Sequence, residues 1–477
     1  MAFNSFSFWL IFPFIFGLYW LIPAKYNQWR KVFLVLASYL LYMNWKPAFA
    51  IVLLGVTLIT YWGGQVLQIK DDESTAEGNK RKHLVWLFAL LGLLPLLVFK
   101  YYNFLNDSIS AGFAAIGLKF AMPGLNWAVP VGISFFTFQA VGYMLDVYHG
   151  RIKTEKNLLD YVLFVSFFPQ VTSGPISTAE DLMPQIKATH RFDYEQGKQG
   201  LKQLLWGMFI KLVIADRLGL FVDAVYSNYI YYSGATCFVA SVFYTLQIYC
   251  DFAGYSLMAI GIARTLGFNL IDNFRRPYLA VSITDFWKRW HISLTHWLTR
   301  QVYIPLRGSR CSKPRTYWNI FVTFLVSGIW HGANWTFIVW GIIHGVLQII
   351  EKAFGWQKYE GTNWAVRGLR IIVTFLLVNF AWVFFRMPNI GDAFAMIGKM
   401  FTDMGTPNLN DLASSAVVIL TIAMPILLFK DLREEYFPEK NSFLNKPVAR
   451  WAIYVLLFCI ILTFGVLDGG QFIYVSF

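Results

Sequence analysis

Apolar runs of about 20 residues, the length at which a helix crosses a bilayer, recur from Phe6 almost to the C-terminus. Lipid offers no partner for backbone N–H and C=O groups, so each run has to close its hydrogen bonds within itself as a helix. The runs lie at about 7–23, 31–45, 48–68, 84–105, 128–147, 158–173, 203–226, 234–266, 317–350, 368–386, 414–430 and 450–467. They predict an all-α polytopic membrane protein with roughly eleven to thirteen transmembrane helices. Composition agrees: 57% of residues are hydrophobic and 14% charged, against about 25% charged in a soluble domain. The N-terminal MAFNSFSFWLIFPFIFG lacks the basic start and small-residue cleavage site of a secretory signal, and is read as the first retained span.

No 20–50-residue repeat, low-complexity tract or Pro/Gly linker divides the sequence, so 1–477 is read as one integral-membrane domain. The formal net charge of +13 reflects the cytoplasmic excess of Lys and Arg that orients membrane proteins, and no nucleic acid partner is expected. Alternating the first five spans from an outside N-terminus puts Lys25/Arg30/Lys31, Lys70/Lys80/Arg81/Lys82 and Arg151/Lys153/Lys156 on the cytoplasmic side. Beyond residue 174 the pattern breaks. Segment 174–202 carries balanced charge, and the next span holds Lys211, Asp216 and Arg217. Such polarity suits re-entrant or interfacial structure shielded by protein or a wet cavity. Cys237, Cys250, Cys311 and Cys459 have neither the spacing of a zinc site nor that of a disulfide framework, so no metal is expected.

Two stretches carry candidate chemistry. From Arg275 to Arg315 there are nine Lys/Arg and one acid, Asp285, among many aromatics. That mixture belongs at the cytoplasmic headgroup level, in short helices on which Asp285 and Arg289 pair at i,i+4. Between Arg315 and Glu351 no Asp, Glu, Lys or Arg occurs, yet SGIWHGANW (327–335) contains His331. On a helix continuing through 317–350, Asn334 and Trp335 share a face with His331. Gly328 and Gly332 allow another backbone or a ligand to come close. An ionisable group at membrane depth is costly and by default functional; in such surroundings a neutral imidazole can accept a proton. The plainer reading is a neutral histidine hydrogen-bonded between helices. His291 either frames the mouth of a site or belongs to a headgroup-anchoring helix, and Asp251, in YCDFAGYS (249–256), either holds a histidine tautomer or pairs with a buried cation. There is no G-x-S-x-G, H-E-x-x-H or P-loop motif.

In combination, DFWKRWH (285–291), WHGANW (330–335), YCDFAGYS, VPVGISFFTFQAVGYMLDVY and FFPQVTSGPI resemble the membrane-bound O-acyltransferase family. The motifs are densest over about 130–345. AWVFFR (381–386) and DAFAMIGKMF (392–401) resemble the bacterial branch concerned with alginate O-acetylation; the teichoic acid D-alanyl transfer branch is the alternative within the family. The resemblance implies a multi-pass protein of the bacterial cytoplasmic (inner) membrane, its helices arranged around a central tunnel. It would move an acyl group, by the branch an acetyl, from a cytoplasmic thioester to an extracytoplasmic hydroxyl. His331 corresponds to the family's catalytic histidine and His291 to its second characteristic one.

On that basis His331 acts as general base where passages from the two faces meet, with Asn334, Trp335 and Asp251 orienting its ring or polarising the carbonyl. The donor expected is acetyl-CoA, a co-substrate and not a resident cofactor. Lys288, Arg289 and Arg307 either contact its phosphates or only express the positive-inside bias. The acceptor expected is an exported polysaccharide or a periplasmic relay protein. A transporter with a His331/Asp251 proton relay is the alternative of another class, and it lacks the internal repeat such folds show.

Overall fold

The computed structural model describes residues 3–69, 75–120, 122–359, 361, 363–409, 419–437 and 446–466. Lys70 and part of the predicted span 414–430 lie outside the described residues. Among the described residues there are helices and no strand, so the all-α expectation holds. The chain groups into two compact units, Ser7–Gly200 with Ala259–Ile271, and Ala2–Phe6 with Leu201–Met258 and Asp272–Phe477.

The first unit contains α1 (Phe6–Leu21), α2 (Asn27–Met43), α3 (Pro47–Leu67), α4 (Thr75–Leu96), α5 (Tyr102–Ala115), α6 (Ile133–Tyr148), α7 (Leu158–Ser166), the single turn α8 (Phe168–Val171), α9 (Ala179–Lys187) and the start of α10 (Tyr194–Met208). Its cations do more than set topology. Lys31 is buried against Asp160 at 2.7 Å, and Arg151 pairs with Asp146 at 2.9 Å. In the polar segment 174–202, Thr178 caps α9 by accepting from the Asp181 N–H, which satisfies one of the helix's orphan donors.

The second unit contains the rest of α10, a π-helical stretch (Phe209–Ala215), α11 (Asp216–Ser227), most of α12 (Gly234–Thr265), α13 (Ile283–Arg289), α14 (Ile292–Leu298), α15 (Lys313–His331), α16 (Trp335–Phe354), α17 (Trp364–Arg386), α18 (Ile390–Thr402), α19 (Met424–Tyr436) and α20 (Pro447–Phe464). Segment 275–315 does form short helices, and Asp285 pairs with Arg289 at 2.8 Å. The α15–α16 pair is close-packed through glycine. A Cβ on Gly328 would sit 2.5 Å from the Phe337 carbonyl oxygen, and one on Gly341 2.5 Å from that of Phe324. Small residues let membrane helices approach to backbone contact in this way.

Among the described residues, six helices are long and apolar enough to cross a membrane: Pro47–Leu67, Gly78–Ala115, Gly234–Thr265, Trp335–Phe354, Trp364–Arg386 and Pro447–Phe464. A seventh follows if the pair Phe6–Leu21 and Ala24–Met43, bent by 102°, counts as one span. The sequence offers more apolar runs because hydropathy does not register breaks. The run at 128–147 becomes helical only at Ile133, the run at 158–173 breaks at Phe167, and 203–226 passes through the π-helical stretch. The run at 317–350 is two helices that meet at Gly332–Asn334.

Candidate functional site

That break decides where the candidate residues point. His331 is the last residue of α15, eighteen residues from Lys313, so about 27 Å along the helix at 1.5 Å per residue. Gly332 is extended, and the Phe337 ring lies where its Cβ would be. Asn334 is the N-cap of α16: its Oδ1 accepts from the Thr336 N–H at 3.0 Å, and its Nδ2 donates to the Pro388 carbonyl at 2.8 Å. Trp335 is 53% exposed. The expectation that Asn334 and Trp335 share a helix face with His331 is therefore corrected. A glycine followed by an Asn cap stops one helix and starts the next.

His331 is 1% exposed, and its ring lies against Trp340 (4.7 Å between centroids), Trp330 (4.9 Å) and Phe385 (5.4 Å). Its Nδ1 is 2.6 Å from the Ser327 carbonyl oxygen. A carbonyl can only accept, so Nδ1 carries the proton and the lone pair of the neutral ring is on Nε2. The backbone one turn earlier thus fixes a basic tautomer.

His291 follows α13 with φ 44° and ψ 53°, a left-handed conformation that costs a non-glycine residue about 1–3 kcal/mol. Asn273 holds it there. The Asn273 carbonyl accepts from the Ile292 N–H at 3.0 Å, and its Oδ1 accepts from the Ser293 N–H at 3.2 Å and the Ser293 hydroxyl at 2.9 Å. Those donors identify the atom as the amide oxygen, so His291 Nδ1, 3.1 Å away, is also the protonated nitrogen. Asn273 Nδ2 completes the chain by donating to Ser256. Trp330 touches both imidazoles, at 4.9 Å from His331 and 5.8 Å from His291.

His291 lies outside the candidate spans. Burial pushes its imidazole well below the ordinary histidine value, and a charge on His331 would push it the same way. The ring is neutral when folded, whereas the unfolded chain takes up a proton near pH 6.5. Its contribution is intact above that pH and is lost as pH falls towards the depressed folded value. Thermal unfolding of His291→Gln should accordingly lose less stability than the wild type between pH 7 and pH 5. Parallel curves would contradict a neutral His291.

Asp251 is buried and bonds Lys211 at 2.5 Å, and Lys211 also bonds Asp216 at 2.5 Å. Of its two readings, pairing with a buried cation is the one found. Arg289 is engaged by Asp285 at 2.8 Å and by Glu435 at 3.0 Å. Arg307 is exposed at the surface with φ 78°. Lys288 lines a cavity of about 370 Å³. Its outer end has Lys288, Lys352, Ser309 and Gln357, and its inner wall has Trp287, Ile320, Phe324 and Ser327. It follows one stripe of α15 inward and stops at Ser327, one turn before His331, which does not line it.

His344, Ser327, Lys352 and Asn273 were not singled out in the sequence. His344 on α16 is fully buried; its Nδ1 accepts from Trp287 Nε1 at 3.2 Å, and its ring packs on Trp340 at 4.8 Å. It is the other histidine of the chargeless stretch, and that alone could have raised it. Ser327 stands at i−4 from His331, the spacing of one helix face. Glu351, at the end of α16, accepts from the Ile283 and Thr284 N–H groups at 2.6 and 2.9 Å. This carboxylate caps α13 and fixes Trp287 and Lys288 at the cavity. Buried polar atoms are normally paired, yet Ser327 Oγ, Trp340 Nε1, His344 Nε2 and Trp382 Nε1 have no hydrogen-bond partner among the described residues.

The chain is similar in sequence to proteins of known kind. The membrane-bound O-acyltransferase (MBOAT) family matches residues 148–387. A probable alginate O-acetylase, AlgI, of Pseudomonas syringae pv. tomato is 37% identical over 93% of this chain and 84% of its own length. A peptidoglycan O-acetyltransferase of Helicobacter pylori is 34% identical over 79% and 75%. The teichoic acid D-alanyltransferase of Bacillus subtilis is 26% identical over 70% and 84%. Alignment across nearly the whole length, together with a family match spanning both histidines, leaves one assignment: the chain belongs to the membrane-bound O-acyltransferase family and is a multi-pass membrane acyltransferase.

Proposed function

We propose that this enzyme transfers an acetyl group from acetyl-CoA to a hydroxyl of an exported polysaccharide, or of a relay protein that passes the group on, with His331 as general base. The observation that carries the reading is the His331 tautomer. Nδ1–H is spent on the Ser327 carbonyl, so Nε2 is the atom able to take a proton from an incoming hydroxyl. A thioester already has a good leaving group, so activating the acceptor is the main chemical demand, and general-base assistance is typically worth about 10²–10⁴ in rate. Holding both reactants in line adds to this. The two relatives named for O-acetyl transfer, to alginate and to peptidoglycan, favour acetyl and a glycan acceptor over D-alanyl transfer, named for a more distant relative.

The donor enters from the cytoplasmic side at the cavity's outer end. Lys288 and Lys352 face the polyanionic coenzyme there, and the thioester end points inward along α15. From Ser327 to the base is four residues of helix, about 6 Å, which the acyl end spans beyond the cavity wall. Arg289 is tied to Asp285 and Glu435 and serves the fold of this region. Arg307, outside the cavity lining, is left with the positive-inside role.

Purified protein in lipid nanodiscs, given acetyl-labelled coenzyme A and an uronic acid polysaccharide, should release coenzyme A and move label to the glycan. Absence of both would remove the acetyl-CoA reading. Lys288→Gln and Lys352→Gln should each raise the donor KM about 3–10-fold, on the order of 1 kcal/mol of screened charge–charge attraction, with kcat nearly unchanged. Unchanged KM in both would place the phosphates elsewhere.

A further inference from the structure

Serine and threonine on helices of this protein usually turn the hydroxyl back onto the carbonyl four residues earlier. Ser38 bonds Leu34 O, Thr57 bonds Leu53 O, Thr60 bonds Val56 O, Thr299 bonds Thr295 O and Thr323 bonds Asn319 O, all at 2.7 Å. That bond is the default for a hydroxyl in an apolar helix, because nothing else nearby can accept. Ser327 departs from it. Its Oγ is fully buried, makes no hydrogen bond among the described residues and lines the inner end of the cavity. A buried hydroxyl left unpaired costs about 1–3 kcal/mol. Thr323, one turn earlier on the same helix and also lining the cavity, satisfies its hydroxyl in the ordinary way.

We propose that the Ser327 hydroxyl donates the hydrogen bond that stabilises the acyl carbonyl oxygen of the thioester as that oxygen takes up charge. This rests on the reading of His331 given above. Ser327 and His331 stand at i and i+4 on one face of α15, with Cβ atoms about 5–6 Å apart in such a pair. A thioester passing the inner end of the cavity meets Ser327 Oγ first and the His331 ring one turn beyond it. The acceptor hydroxyl gives its proton to His331 Nε2 as its oxygen bonds to the thioester's carbonyl carbon. The carbonyl π pair moves onto oxygen, where Ser327 Oγ–H meets it. When the pair returns, the C–S bond breaks and the thiolate leaves with the proton held on His331. Ser327 then serves the site twice, its backbone carbonyl setting the tautomer of the base and its side chain facing the other reacting atom.

The two contributions can be separated because side-chain substitution leaves the carbonyl in place. Initial rates of coenzyme A release from acetyl-CoA are measured for the full chain in nanodiscs, for wild type, Ser327→Ala, Ser327→Thr and His331→Ala, across donor concentration and pH. Ser327→Ala should lower kcat about 10–100-fold, somewhat less than the loss of one oxyanion donor elsewhere, with KM within about threefold and the pH midpoint unmoved. Ser327→Thr, which keeps a hydroxyl, should recover most of the rate. If Ser327→Ala keeps more than half the wild-type kcat while His331→Ala is inactive, the serine has no such role and the base stands. Should His331→Ala itself turn over at the wild-type rate, both fall. A loss in Ser327→Ala that Ser327→Thr does not relieve, or that comes with aggregation, would make the serine structural and overturn the proposal.

Discussion

Replacing His331 with alanine is expected to lower turnover of acetyl-CoA by about 10²–10⁴-fold, the range of a general base, while the protein stays folded and still binds donor. The effect is large because the rings packed against it cannot take the proton. His331 is enclosed by Trp330, Trp340 and Phe385, none of them a base. His291 presents its own Nε2 lone pair but is held apart by the Asn273 network, with Trp330 touching both rings. His331→Gln is the informative partner variant. Its amide fills similar volume and can still donate to the Ser327 carbonyl, yet it cannot take a proton at neutral pH. Equal loss in both variants assigns the effect to proton transfer. A glutamine variant near wild-type rate would assign it to packing.

The second large effect is on stability. Lys211→Met is expected to cost about 3–5 kcal/mol, the penalty for removing one member of a buried ionic cluster, and so to abolish most folded protein. Lys211 is fully buried between Asp216 and Asp251, and its loss leaves two carboxylates without their cation. Asp251→Asn should be milder, because Lys211 keeps Asp216, and turnover of the surviving protein should stay within a few-fold of wild type. Thermal unfolding in nanodiscs alongside coenzyme A release separates the two. If Asp251→Asn shifted the pH profile of turnover without changing stability, Asp251 would belong to the proton path.

The resemblance and the hydropathy pattern together made the fold class and the two histidines legible, since long apolar runs admit only helices. Local pairs were legible too: Asp285–Arg289 follows from i,i+4 spacing alone. Two kinds of feature were not. The first is the break inside 317–350. No charged residue interrupts the stretch at Gly332–Asn334, and only the helix-stop and N-cap chemistry of those residues marks the end of α15. Reading through it put Asn334 and Trp335 on the wrong face. The second is any partner distant in sequence. Arg289 looks like a phosphate ligand until Glu435 is found bonded to it, and Asp251 looks like a histidine's partner until Lys211 is. Lys352 reads as the end of a span, and becomes a cavity residue only when α16 packs on α15.

The most direct test of the account is a structure of the wild-type protein with a thioether analogue of acetyl-CoA, which cannot be cleaved. The coenzyme should lie between Lys288 and Lys352, with the pantetheine arm along Ile320 and Phe324 and the acyl carbon beyond the cavity's present end, within about 4 Å of His331 Nε2. An analogue seated with its acyl group away from α15, or held with Trp340 and Phe385 still sealing the imidazole from it, would contradict the assignment of His331 as the base.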